Sequence, residues 1–452
     1  MTIPTIATSN KFKIIVQSAN LKLFQLLTTS VVSATFLTTC GPSLTSASTP
    51  KFDSASSTAL DATITDATLM TSSPNYNVDS QIKDQLYFSI GLLNNWGSVA
   101  DLANRSVVVK SIVAVPGSPS LSKVTYDAKF KIAWSRNRQI PTSITVPVPA
   151  RGDYQGIQAF YSKYEGTCVQ DRHELSYANF WYYIRPLMAG CPLAGRSGTE
   201  EFTYLLKVNT AVSNTNTSGK SPEYAKVWED QQLVATTVFG KYVSGGDNND
   251  QGVEEFNSMY RQVLRDFGHP ISSNVNLQVG EMPGTENPDV RLVFETRRGK
   301  VDINILLVNT MGYNSTEWLT HFNERTMISD FVSYSGHSGL GANIRSIATM
   351  GKFKANQFQL YYLNGCDTYS YLGTELADAH HRVNPESQAS RFLDVITNSM
   401  PSPFSSMASS TNNILMSLYN QQNNYRQILS MINSGQNPNV RGEEDNKWPQ
   451  PF

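Results

Sequence analysis

The feature that most constrains this chain is a pair of apolar runs, Phe331-Val332-Ser333-Tyr334-Ser335 and Phe358-Gln359-Leu360-Tyr361-Tyr362-Leu363-Asn364. Each is closed by a glycine and then by a chemically active side chain, Gly336-His337-Ser338-Gly339 after the first and Gly365-Cys366-Asp367 after the second. The His and the Cys stand 29 positions apart (366 − 337), an interval that suits one loop, a short helix and a second strand. In a βαβ unit with its right-handed crossover, the two runs are neighbouring parallel strands whose C-terminal ends share one edge. Neighbouring strands lie about 4.8 Å apart, and open α/β sheets bind their ligands at that edge. The pattern therefore predicts an imidazole and a thiol facing one crevice.

Such a pair has a use. A free thiol, with a pKa of about 8.5, is mostly protonated at neutral pH, and an imidazolium or a helix N-terminus lowers it. A helix predicted to begin near Tyr369 places its N-terminus beside Cys366. Gly365 permits close backbone approach, and the N–H of Cys366, with that of Ser338 or Gly339, is available to a developing oxyanion. Asp367 has two readings, orienting a substrate backbone or capping the next helix, and Asp is favoured in the second role. The competing reading of Cys366 itself is a buried, inert thiol at a strand end.

These strand ends resemble the caspase-fold cysteine peptidases, among them caspases, legumains, gingipains, separases and CHAT-domain proteases. The resemblance spans residues 229–432 and is sharpest at His337 and Cys366. It implies a mostly parallel sheet flanked by helices, His337 as general base and Cys366 as nucleophile. It also implies peptide-bond hydrolysis through a thioester, a peptide or protein substrate, and no cofactor. One departure is visible: Ser338 stands where the family usually has Gly, with Gly339 one place later, which bears on the oxyanion hole. A non-catalytic surface lipoprotein that keeps the fold as a binding or scaffold module is the alternative. A third reading, a serine hydrolase using Ser338, comes from Gly336-His337-Ser338-Gly339-Leu340-Gly341, which nearly spells G-x-S-x-G. Its register fails at Leu340, and the only later histidines are His380 and His381, too early for that fold's chain order.

Around the pair, strands are predicted at 233–243, 290–295, 300–308 and 391–398, and helices at 252–267, 315–327, 343–350, 369–380 and 411–432. Alternation of this kind argues an α/β layer, here residues 229–435. Before it, residues 75–212 hold short Val-, Ile- and Tyr-rich runs at 107–109, 112–115, 124–134, 144–148, 180–184 and 202–208. These predict a β-rich domain of sandwich type. Residues 213–228 read as a linker, 436–452 as a tail, and 40–74 as a Ser/Thr-rich tether too poor in apolar residues to order itself.

At 452 residues and 40% hydrophobic, the chain is long enough for two cores. A net charge of −1 with scattered basic residues gives no footprint for nucleic acid. Residues 1–39 contain Lys11, Lys13 and Lys22, no acidic residue and an apolar stretch at 23–37, the marks of an export signal. Leu37-Thr38-Thr39-Cys40 resembles a bacterial lipobox, which implies lipidation of Cys40 and anchoring to a membrane of the bacterial cell envelope. The alternative is plain secretion or a signal anchor. Cys168 and Cys191 are candidates for a disulfide in an oxidising compartment or for a reduced buried pair. No metal site is expected, because the adjacent His380 and His381 on a helix point about 100° apart.

Overall fold

Two sheets organise the chain. The computed structural model describes residues 57–169, 175–194, 201–215, 219–385, 387 and 391–442. The expected export signal, Cys40, the first part of the tether and the end of the tail lie outside the described residues.

The first sheet is built from β1 (Ser57–Thr71), β2 (Val99–Val115), β3 (Ser118–Ser135), β4 (Ser143–Pro149) and β5 (Thr203–Val212), with α1 (Val78–Asn94), α2 (Tyr154–Tyr164) and α3 (Phe180–Tyr183) interspersed. The strands are antiparallel in the order β2-β3-β1-β5-β4. The central strand is the segment expected to be a disordered tether. Its alternation is real but broken: Leu60, Ala62 and Ile64 face the core, then a bulge at Asp66, which has φ +55°, shifts the register so that Ala67 and Leu69 continue on the same face. A bulge interrupts the period of two and hides the strand behind its Ser and Thr residues. The sandwich expectation is also corrected. The layer over this sheet is α1, which buries Ile82, Leu86, Phe88, Ile90 and Leu93. Residues 180–184, expected as a strand, contain the short helix α3, and Phe180 packs edge-on to Phe88 and Phe160.

The second sheet follows α4 (Tyr224–Val227), a turn of helix within the expected linker. Its elements run β6 (Gln232–Gly240), α5 (Gln251–Phe267), β7 (Ser272–Ser273), β8 (Asp289–Thr296), β9 (Gly299–Val308), α6 (Thr316–Thr326), β10 (Phe331–Ser335), α7 (Ala342–Thr349) and β11 (Gln359–Asn364). They continue with α8 (Thr368–Tyr371), α9 (Glu375–Val383), β12 (Leu393–Asn398), α10 (Met407–Asn420), α11 (Tyr425–Ser430) and β13 (Pro438–Arg441). The order is β13-β12-β11-β10-β6-β9-β8-β7. From β12 to β9 the strands are parallel, while β13, β8 and β7 pair antiparallel at the edges. Every residue of β10, β11 and β12 is buried, as expected of parallel strands covered on both faces. The molecule is thus mixed α/β with one antiparallel and one mixed sheet. Three boundaries differ from expectation. The helix over 369–380 is broken between α8 and α9, and that over 411–432 is broken at Gln421, which adopts φ +56°. Part of the expected tail forms β13. Among the described residues no helix is long and apolar enough to cross a membrane.

The sheets share one core. A single cluster of buried side chains runs from Leu60 and Tyr126 in the first sheet to Tyr334 and Leu363 in the second, and α8 packs on β2. Polar ties reinforce the seam: Arg441 pairs with Asp101 at 2.8 Å, and Asn104 Nδ2 donates to the Leu372 carbonyl at 2.9 Å. In the first layer, Cys168 and Cys191 are joined by a disulfide that closes the loop carrying α3. Closing a loop of this length restricts the unfolded chain, a stabilisation of about 3 kcal/mol. Cys168→Ser/Cys191→Ser is expected to lower stability by that amount in a denaturant titration; a midpoint and slope equal to wild type would refute it.

Candidate active site

Strand register puts the two strand ends level. β10 and β11 pair from Phe331 with Leu360 to Ser335 with Asn364, the same offset of 29 (364 − 335) that separates His337 from Cys366. Gly336 N–H then donates to the Asn364 carbonyl at 3.1 Å, so the two chains leave the sheet side by side. They leave so close together that a side chain on Gly365 would lie 2.9 Å from the Gly336 carbonyl oxygen and 3.2 Å from the Ser338 nitrogen. Glycine at 365 is thus a requirement of contact between the two loops.

The His loop turns back through left-handed backbone at three successive residues, Gly339, Leu340 and Gly341 (φ +58°, +50° and +90°). Glycine suits two of these positions, and Leu340 bears strain at the third. Asn343 holds the loop: its amide donates to the His337 carbonyl (2.8 Å) and to the Tyr334 hydroxyl (3.0 Å), and its oxygen accepts from the Met311 N–H (3.0 Å). The Tyr334 hydroxyl donates to the same His337 carbonyl at 2.8 Å. The imidazole lies against the rings of Tyr242 and Phe404, with centroids 5.0 and 4.9 Å away. Its Nε2 is 3.1 Å from the Tyr242 carbonyl oxygen. A carbonyl only accepts, so Nε2 carries the hydrogen and Nδ1 the lone pair. Tyr242 is in turn placed by Asp250, whose carboxylate accepts from the backbone N–H of Tyr242 (2.8 Å), Val243 (2.7 Å) and the α5 residue Gly252 (2.8 Å).

The Cys loop rests on a buried amide network. Asn364 Oδ1 accepts from Ser402 Oγ (2.6 Å) and Gln436 Nε2 (2.9 Å), and Asn398 Nδ2 donates to the Gly365 carbonyl at 3.2 Å. Cys366 is a free, half-buried thiol. It lines a cleft of about 500 Å³ together with His337, Tyr242, Phe404 and the carboxylate-bearing Glu254 and Glu255. The ring and the sulfur thus share a cavity, and no hydrogen bond joins them.

Two expectations are corrected here. The thiol is pushed up, first by burial and then by the charge of Asp367, where a helix N-terminus and an imidazolium were expected to bring it down. The reason is that α8 is four residues long, and the imidazole is engaged with Tyr242. Asp367 precedes α8 but does not cap it with its side chain. It is fully buried at φ +52°, and its carboxyl, beside Arg185, Asn94 and Tyr182, is pushed up to about 7 by burial. Ser338 is buried and does not line the cleft; Gly339 lies in the turn behind His337. His380 is buried against Phe353 while His381 is exposed, and among the described residues no group of His, Cys, Asp and Glu converges as metal ligands. Asp394 is buried in β12 and accepts a hydrogen bond from Tyr425. Sequence reading missed Tyr242, Asp250, Asn343, Phe404 and the contribution of residues 182–185. Asp250, two residues before Gly252 at the head of an amphipathic helix, carried a capping signal; the others carried none.

No family model matches the chain, and no curated protein matches it.

Two outcomes follow from this geometry. Gly365→Ala forces the loops apart and is expected to cost about 1–3 kcal/mol, the usual range for overpacking. Urea unfolding checks this, and a wild-type midpoint would contradict it. For Asp367, the unfolded chain releases its proton near 3.8 and the folded chain near 7, so folding takes up a proton between those values. Wild-type stability measured against Asp367→Asn is therefore expected to fall by roughly 3–4 kcal/mol as pH rises from about 4 to about 8. A difference that stays constant with pH would contradict it.

Proposed function

We propose that this chain is an exported cysteine endopeptidase with a caspase-like C-terminal layer, in which Cys366 is the nucleophile and His337 the base. The observation that carries this reading is the register that brings a Gly-flanked His and a Gly-flanked Cys level at the ends of adjacent parallel strands, opening into one cleft. In the reaction, the Cys366 sulfur attacks the peptide carbonyl carbon and its proton passes to His337. The tetrahedral intermediate collapses to a thioester as that proton moves to the departing amine. Water, deprotonated by His337, then attacks the thioester and returns the thiol. Nδ1 is the nitrogen free to take the proton, since Nε2 is occupied by the Tyr242 carbonyl. Of the backbone N–H groups available to an oxyanion, that of Cys366 belongs to a residue lining the cleft, whereas Ser338 is buried behind it. Lipid attachment at Cys40 would place the enzyme on a bacterial envelope membrane.

The scaffold reading has one observation on its side, the upward shift of the thiol, because a protonated sulfur is a poor nucleophile. Alkylation of Cys366 by iodoacetamide, followed by peptide mass mapping, separates the readings. With a working dyad, His337→Ala is expected to slow labelling at pH 7.5 at least tenfold and, with Cys366→Ser, to abolish cleavage of a peptide library, the loss typical of a general base being about 10²–10⁴. Labelling indifferent to His337→Ala, together with no cleavage by wild type, would leave the scaffold.

A further inference from the structure

The short loop that carries Cys366 runs from β11 into α8. Thr368, the first residue of that helix, folds back over the strand end: its hydroxyl donates to the Leu363 carbonyl and accepts from the Asn398 N–H, both at 2.8 Å. One end of the loop is therefore set by β11 and the other by α8. A helix of four residues does not hold itself in place, since its single turn fixes about six dihedrals for one hydrogen bond. Its position is set from outside. The carbonyls at its C-terminal end are taken by Arg441 of β13, which donates to those of Tyr369 (2.8 Å) and Leu372 (3.1 Å). The guanidinium also lies over the Tyr369 ring, 4.3 Å from its centroid. The Leu372 carbonyl accepts a second hydrogen bond from Asn104 of β2 at 2.9 Å. Both donors are held by one carboxyl group of the first sheet. Asp101, only 5% exposed, accepts from the Asn104 amide at 2.9 Å and pairs with Arg441 at 2.8 Å.

We propose that Arg441 is a positioning residue for Cys366: oriented by Asp101, its planar fork caps α8 and so fixes the loop that presents the sulfur to His337. This role rests on Cys366 being the nucleophile of the proposed reaction. A guanidinium suits the task because its donors lie in one rigid plane, so a single side chain serves two carbonyls, a carboxyl group and an aromatic face together. The carbonyls it takes are those that a helix leaves without partners at its C-terminal end. Burial makes the clasp hard to open, because withdrawing either partner of a buried pair leaves the other uncompensated. The first sheet is then part of the active centre through Asp101 and Asn104. The residue that joins the two layers comes from the segment expected to be a tail.

The test compares the full chain with Arg441→Gln in two measurements. The first is the rate at which iodoacetamide labels Cys366 at pH 7.5, taken with and without His337→Ala. In the wild-type background His337→Ala is expected to slow labelling about tenfold or more. In the Arg441→Gln background the same change is expected to slow it less than about threefold, because the sulfur no longer sits where the imidazole can serve it. Lower global stability by itself does not move this ratio. The second measurement is backbone hydrogen exchange, in which residues 366–372 are expected to exchange about tenfold faster while residues 331–335 keep their wild-type rates. A ratio that is equal in the two backgrounds, with His337→Ala slowing both, overturns the proposal. So does exchange that is unchanged at 366–372, or that rises equally at 331–335, which would mean general loosening. If His337→Ala has no effect in the wild type, the dyad falls. Selective exchange at 366–372 then still supports the hold of Arg441 on the Cys366 loop, and unchanged exchange overturns it. Should Arg441→Gln fail to fold, Asn104→Ala removes one of the two donors on the Leu372 carbonyl: faster exchange at 366–372 supports the clasp, and wild-type exchange overturns it.

Discussion

Parallel pairing of β10 with β11, with Ser335 opposite Asn364, is the constraint on which the rest of the site depends. Side chains alternate along a strand, so a slip of one residue would turn every buried residue of the pair to the other face. Here the two buried faces pack into different clusters, Val332, Tyr334, Tyr361 and Leu363 into one and Phe331, Leu360 and Tyr362 into the other, and a slip would exchange them. The core therefore enforces the register, and the register places residue 337 level with 366. Glycine at 365 then lets the two chains run in contact past the sheet edge.

Beyond the edge, placement passes from backbone pairing to buried amides. Asn343 fixes the His loop, and Asn364, Asn398 and Gln436 fix the Cys loop, each with several partners. Such groups are costly to bury unless paired, and here all but Asn398 Oδ1 find partners, which leaves few alternative arrangements. The same desolvation sets the electrostatics of the centre. Burial raises the Cys366 thiol and the Asp367 carboxyl together, and the charge of one opposes ionisation of the other. The sulfur so shifted shares its cleft with an imidazole that is turned to the Tyr242 carbonyl.

The two sheets act on this centre jointly. Sequence reading placed a flexible tether and a separate β-rich domain ahead of the α/β layer. In the structure the tether segment is the central strand of the first sheet, β2 lies against α8, and the α3 loop meets α8 where Trp181 faces Tyr371. The fold of the second layer was largely legible, because long apolar runs punctuated by Gly and Asp identify buried parallel strands and amphipathic helices. The first layer was less so. The bulge at Asp66 masked β1, and the aromatic run 180–184 suits strand and helix alike until Phe180 finds Phe88 and Phe160.

By itself the sequence determined that a histidine and a cysteine would end two neighbouring buried strands, because strand polarity, crossover hand and glycine punctuation are local properties that residue order encodes directly. It also determined the length of the connecting unit, and hence the pairing offset. Tertiary structure alone decided what surrounds the sulfur. Tyr242, which lines the cleft with it, is 124 residues away in the chain (366 − 242), the imidazole's partner is a backbone carbonyl, and the upward shifts of Cys366 and Asp367 follow from how much water the packed layers exclude. Burial depends on everything packed around a group, and no local pattern of residues records it.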